Sequence, residues 1–259
     1  MGRIIDYILF YNELDMLELR FLEHNDFVDE FIIVEASSSF SGLRKDLIFQ
    51  QNKKRFEKYI KKITYLNIEV FPERLTVWER ESYQRNFGRD YLKRSMKQGD
   101  IVLCCDLDEI VSQDALKVLK KDHTKDDTFM FLQMDMYYYN FNWYNPTLWN
   151  RAFVIGKNHI NKKLNDIRNL EYDYPGHIIY AGWHLSYFLS PEDISKKIKA
   201  FSHQEYNTDH YTELERIKKC MKEGIDLFER NEQQLIKYTG RQLPKNKNFL
   251  ESVLNSYLK

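Results

Sequence analysis

Cysteine is scarce: three residues in a chain of 259 cannot build a disulfide framework. Two of them, Cys104 and Cys105, are neighbours in an apolar run, so as strand residues they leave opposite faces. This usage fits a reducing compartment. Long apolar runs are also missing, with nothing approaching the ~20 residues of a membrane-spanning helix. The opening Met1-Gly2-Arg3-Ile4-Ile5-Asp6 has no charged region followed by an apolar segment and a cleavage site. The expectation is a soluble, cytoplasmic protein. Net charge is absent as well: 39 basic residues cancel 39 acidic ones. That removes the global field that draws proteins to nucleic acid or anionic lipid. Basic runs such as Lys53-Lys54-Arg55 and Lys196-Lys197 read as solvated helix faces. There is no Pro- or Ser-rich linker and no internal repeat, so one domain over residues 1–259 is expected.

What the chain has in abundance is rings. Aromatic residues make up 15%, with 18 Tyr and 17 Phe. They predict an aromatic core, with ring faces left to meet sugars, bases or partner proteins. Apolar runs at residues 4–10, 31–34, 63–71 and 101–105 read as buried strands. Helical patterns separate them. Leu14, Leu17, Phe21 and Leu22 recur at helical spacing behind a candidate cap at Asn12. A polar helix is expected over 50–59 and a long one over 77–97, while 37–42 has loop chemistry. Strand and helix in alternation specify an α/β fold with a mainly parallel sheet and helices on both faces. In such sheets ligands bind beyond the carboxyl ends of the strands. That edge collects Tyr11-Asn12-Glu13, Glu35, Asp106 and Asp108. Beyond Ser112 the pattern shifts to strands at 129–141, 151–155 and 182–189, with a polar, loop-rich stretch at 157–175. Helices are expected at 191–201, 212–230 and 249–258.

Three constellations carry chemistry. In Asp106-Leu107-Asp108-Glu109, two carboxylates one residue apart follow a buried strand. If the chain turns there, both reach a hard cation such as Mg²⁺ or Mn²⁺, which takes oxygen ligands and bridges carboxylates to substrate phosphates. A pair of surface acids capping the next helix is the plainer explanation, and a haloacid-dehalogenase-like phosphatase with Asp106 as nucleophile is a rival. Against the phosphatase, three strand candidates precede the triplet, and Glu109-Ile110 stands where such enzymes carry Gly-Thr or Gly-Val. The second constellation is the helix 78–86, where Arg80 with Gln84 and Glu81 with Arg85 each share a face. Its arginines either meet phosphate at the metal edge or make salt bridges on a solvated face. The third is histidine-rich. His203 is a candidate to complete a metal shell, and Glu192, Asp193 and Glu205 are candidate bases. Trp183 and Tyr187 share strand parity with Leu185, giving either an aromatic platform for a sugar or core packing. A non-catalytic carbohydrate-binding protein is the third class the sequence admits.

These segments together resemble glycosyltransferase family 17. The resemblance runs in order through Phe10-Tyr11-Asn12-Glu13-Leu14-Asp15 with Leu17-Glu18-Leu19-Arg20, Val28-Asp29-Glu30-Phe31-Ile32-Ile33-Val34-Glu35-Ala36, and Ser39-Phe40-Ser41-Gly42. It continues through Trp78-Glu79-Arg80-Glu81 with Gln84-Arg85, Asp106-Leu107-Asp108-Glu109-Ile110, Gly182-Trp183-His184-Leu185-Ser186-Tyr187-Phe188, and Lys197-Ile198 through Ser202-His203-Gln204-Glu205. It implies a GT-A-like fold and inverting transfer of a sugar, N-acetylglucosamine in the best-known members, from a UDP-sugar donor to a glycan acceptor. It also implies Mn²⁺ or Mg²⁺ on Asp106 and Asp108, with His203 completing the metal site. Tyr11, Asn12, Glu13 and Glu35 are implied for the nucleoside pocket and Arg85 for the phosphates. Glu192 is implied as base with Glu205 second, and Trp183 and Tyr187 are expected at the acceptor. On this reading residues 1–111 bind the nucleotide sugar, and 112–259 shape the acceptor side.

Overall fold

Runs such as Ile4-Ile5 and Ile101-Val102-Leu103 have no polar face, so each strand they form must be covered on both sides. In the computed structural model, which describes residues 2–170, 176–230, 234–237 and 240–257, that is what happens. Ile4 and Ile8 enter one hydrophobic cluster, while Ile5 and Tyr7 enter another across the sheet. Cys105 and Cys104 likewise divide between the two, as their adjacency requires.

The strands are β1 (Ile4–Phe10), β2 (Glu30–Ala36), β3 (Ile63–Ile68), β4 (Ile101–Asp106), β5 (Glu109–Val111), β6 (Phe129–Tyr138), β7 (Trp143–Gly156), β8 (His177–Ile178), β9 (Gly182–Ser186) and β10 (Ile236–Lys237). Among the described residues they form one sheet in the order β3-β2-β1-β4-β7-β6-β9-β5, with β8 beside β6 and β10 beside β7. From β3 to β4 every pairing is parallel. Then β7 runs antiparallel to both β4 and β6, β9 returns parallel to β6, and β5 closes antiparallel to β9. The sheet is mostly parallel and flanked by helices. This is the α/β class expected, and it is compatible with a Rossmann-like GT-A fold.

Several expected elements end elsewhere. The helix placed over 77–97 is two, Val77–Phe87 and Arg89–Ser95, parted at Gly88. A β-carbon there would lie 2.5 Å from Cε2 of Tyr7, and the Gly88 N–H donates to the Tyr7 hydroxyl at 2.9 Å. Because φ at Gly88 is −80°, Gly88→Ala adds crowding without backbone strain. It is expected to cost about 1–3 kcal/mol, read as a lower urea midpoint at unchanged slope.

The polar helix of 50–59 is a short α-turn, Ile48–Gln51, followed by a 3₁₀ stretch, Lys53–Lys62. The helix expected over 212–230 stops at Gly224 (φ 69°), where the chain turns left-handed. Asn12 is not the cap of the Leu14–His24 helix, since Glu13 holds that position. The loop-rich stretch 157–175 contains the short helix Leu164–Arg168, and its last five residues lie outside the described part. Residue 258, the expected end of the tail helix, lies outside it too. The helix Lys247–Tyr257 accounts for the rest.

Candidate active site

Parallel pairing brings the ends of β1, β2 and β4 level: Leu9 stands opposite Asp106, and Phe10 opposite Glu35. Past Asp106 the chain turns through Leu107 and Asp108 into β5. Arg20, on the Leu14–His24 helix and fully buried, fixes that turn from below. Its Nη1 donates to the carbonyls of Asp106 (2.7 Å), Leu107 (3.2 Å) and Glu109 (3.0 Å). Its Nε and Nη2 grip Asp6 at 2.9 and 2.7 Å. His24 Nδ1 lies 2.8 Å from the same carboxylate. Burial favours protonated Asp6, but Arg20 and His24 outweigh it and hold the group well below the usual carboxylate range.

Above the turn every acid has a cationic partner. Asp106 accepts from Arg85 at 2.6 Å and, through its other oxygen, from Arg168. Burial works against its charge, yet the two guanidiniums hold it far below its ordinary value. Arg168 also reaches Glu109 at 2.7 Å, whose Oε2 accepts from the Asp106 N–H at 2.6 Å. Asp108 accepts from Lys197 at 3.2 Å, and the same ammonium stands 3.1 Å from Glu13. His184 Nε2 is 3.6 Å from Asp108, its ring lies 4.3 Å from that of Trp149, and its buried Nδ1 has no hydrogen-bond partner among the described residues. Burial pulls His184 below the ordinary imidazole value, although the neighbouring carboxylates oppose it.

Above the turn, all of these side chains except Glu109 line a cleft of about 710 Å³. Of the residues to which the resemblance gives a role, Tyr11, Glu13, Arg85, Asp106, Asp108, Tyr187 and His203 face it. The other five do not line it. Glu35 is fully buried and turned to the Ile48–Gln51 helix, where it accepts from the N–H groups of Ile48 and Phe49 and from Lys45 and Tyr65. Asn12 donates its N–H to the Glu13 side chain. Glu192 is exposed on the first turn of the Pro191–Ala200 helix. Glu205 is exposed as well and accepts from His203 at 2.7 Å. Trp183 lines a separate cavity of about 500 Å³ and donates to the Gln242 carbonyl. The parity argument that paired it with Tyr187 fails because Tyr187 has φ 58°, so strand alternation stops at Ser186.

The sequence reading gave no role to Arg168 or to Lys197, although Lys197 opens one of the blocks that carry the resemblance. Arg168 sits in the polar stretch read as loop, and nothing local marks it. Lys197 belongs to a run read as solvated, which holds for Lys196 (66% exposed) and not for its neighbour (23%). Adjacent helical positions point about 100° apart. The usable signal was charge balance, since acids packed this closely require cations nearby.

The donor set can be tested for a divalent cation. Asp106 has both oxygens committed to arginines. Asp108 and Glu13 instead converge on one ammonium, so a cation position between two hard-oxygen carboxylates is already built. Among the described residues no three His, Cys, Asp or Glu side chains are grouped to hold a metal. An ion there would draw its remaining ligands from phosphate and water, as Mg²⁺ and Mn²⁺ do. On those terms the residues fit.

The chain is 28% identical to the β-1,4-mannosyl-glycoprotein 4-β-N-acetylglucosaminyltransferases of Rattus norvegicus and Homo sapiens, over alignments of 228 residues. Each alignment covers 76% of this chain and 42% of the relative, so the chain spans less than half the length of these curated relatives. Among solved structures, the 4-diphosphocytidyl-2C-methyl-D-erythritol synthase of Anaerococcus prevotii superposes with a TM-score of 0.39 at 12% identity, over 67% of this chain and 78% of that one. That likeness is too loose to bear on fold or function. The family model described as glycosyltransferase family 17 matches residues 1–246, and the chain therefore belongs to glycosyltransferase family 17.

Proposed function

We propose that the chain transfers N-acetylglucosamine, with inversion, from a UDP-sugar to a hydroxyl of a glycan acceptor, in a cleft of GT-A type, with Mn²⁺ or Mg²⁺ as cofactor. One observation carries this reading: an acidic pair at the carboxyl edge of parallel strands, opening on a cleft that holds Arg85, Arg168 and Lys197. In this reading Tyr11, just past β1 on the wall of the cleft, meets the nucleoside. Lys197 and the Arg85–Arg168 pair are placed for the diphosphate, where fixed cations oppose the charge that grows on the leaving group. A divalent cation held at Asp108 and Glu13 would add Lewis-acid neutralisation of that charge. The acceptor proton needs a carboxylate within the cleft, and Glu81 lines it whereas Glu192 and Glu205 do not. Tyr187 and His203, at the same wall, are placed for the acceptor ring or the closing of the donor site.

A thermal-shift screen of nucleotide sugars with and without Mn²⁺ tests the reading. UDP-N-acetylglucosamine is expected to raise the melting temperature only with the metal present. A ligand at one hundred times its Kd stabilises by about 2.7 kcal/mol. A shift that survives EDTA would remove the metal from the account. A shift given by GDP- or CMP-sugars and not by UDP-sugars would remove the donor assignment.

A further inference from the structure

Lys197 occupies an unusual place for a lysine on an amphipathic helix. Its neighbour Lys196 lies in solvent against Asp193, while Lys197 enters the cleft from the Pro191–Ala200 helix. Its ammonium stands 3.1 Å from Glu13 and 3.2 Å from Asp108, and 5.7 Å from the centre of the Tyr187 ring. Glu13 follows β1 and Asp108 follows β4, so two carboxylates from separate parts of the sheet edge share one positive charge. Without that charge they would repel.

The arginines of the cleft are placed differently. Arg85 holds Asp106 and Glu81, and Arg168 holds Asp106 and Glu109. Guanidinium forks of this kind are geometrically locked. A lysine is a compact charge on a flexible four-carbon stem, and it can change partners without rebuilding its surroundings.

A divalent ion that takes Asp108 competes for the same oxygens as this ammonium. A diphosphate arriving with the ion offers new acceptors at short range. We propose that Lys197 is an exchangeable counter-cation: it bridges Glu13 and Asp108 in the free protein, and it moves onto the donor's phosphate oxygens as the divalent cation binds. This rests on the donor and metal reading above, and it predicts two effects of opposite sign. Removing the charge should tighten the metal, because a competitor is gone, and loosen the nucleotide, because a phosphate partner is gone. A lysine that merely braces the fold would do neither, since its loss would weaken both ligands together.

The measurement is Mn²⁺ binding, read from the loss of the free-ion electron paramagnetic resonance signal, alongside calorimetric titration of UDP at saturating Mn²⁺. For Lys197→Met, Mn²⁺ alone is expected to bind about tenfold more tightly and UDP about tenfold more weakly than to the wild type. Lys197→Arg keeps the charge and is expected to hold Mn²⁺ affinity within about twofold of wild type. Should the methionine variant melt below the assay temperature, Lys197→Gln keeps a polar group against the carboxylates without the charge and is expected to show the same two signs. Mn²⁺ affinity unchanged or weakened in both neutral variants, with wild type binding normally, overturns the exchange and leaves the donor reading standing. A wild type that binds no Mn²⁺ even with UDP present overturns both.

Discussion

Asp108→Asn is expected to lower kcat by about 10²–10³-fold, the usual loss when one fixed electrostatic partner of a transition state is removed, while the fold stays intact. The reason lies in how differently the two aspartates of the turn are held. Asp108 is bonded to one flexible lysine, which keeps Glu13 as a second partner when the charge goes. Little of the packing depends on it. Asp106 is the shared counter-ion of Arg85 and Arg168, which are only 4% and 9% exposed. Asp106→Asn therefore leaves two buried guanidiniums relying on Glu81 and Glu109 alone. It is expected to lower the melting temperature as well as the activity. Because the Asp106 side chain is 31% exposed, solvent screens part of that loss. Steady-state kinetics and thermal melting of the two variants side by side check the contrast. Equal destabilisation by both, or ordinary turnover by Asp108→Asn with Mn²⁺ present, would contradict it.

That contrast was not legible in the sequence, where Asp106 and Asp108 read as equivalent members of one triplet. What could be read was position. The apolar runs of β1, β2 and β4 are long enough to mark buried strands, and parallel pairing then brings Tyr11, Glu35 and Asp106 to one edge. Orientation could not be read in the same way. Glu35 reaches the edge and turns its carboxylate onto exposed N–H groups of a neighbouring helix, a choice made by tertiary packing. The paired aromatic platform failed for a local reason equally hidden. A tyrosine in the left-handed region is rare, and no residue type at position 187 announces it. Gly88 illustrates a third limit. A glycine is tolerated within a helix, and the break is imposed by Tyr7, 81 residues away in sequence. The β5 strand is three residues long and, among the described residues, pairs with β9 alone, so its signal is non-local too.

Arg20→Met is expected to cost about 3–5 kcal/mol of folding stability, the range for breaking a buried ion pair from one side. Arg20 and Asp6 are both fully buried, and the variant leaves the Asp6 charge with His24 alone. It also strips three backbone carbonyls at Asp106, Leu107 and Glu109 of their donor, so the turn that carries both aspartates loses its support. Activity should fall together with stability, and lowering the temperature should restore part of it. The double variant Asp6→Asn with Arg20→Met removes both charges, and it is expected to be more stable than Arg20→Met alone, because the uncompensated carboxylate is what costs most. The pH dependence fixes the sign. Asp6 has a folded value depressed below its unfolded value of about 4. Its contribution is therefore fully present above pH 4 and is lost only as the pH falls toward the folded value. Without Arg20, burial favours the protonated carboxyl, so the gap in denaturant midpoint between wild type and Arg20→Met should narrow as the pH falls. A gap that stayed constant or widened as the pH fell would mean that a group other than Asp6 supplies the stabilisation Arg20 gives.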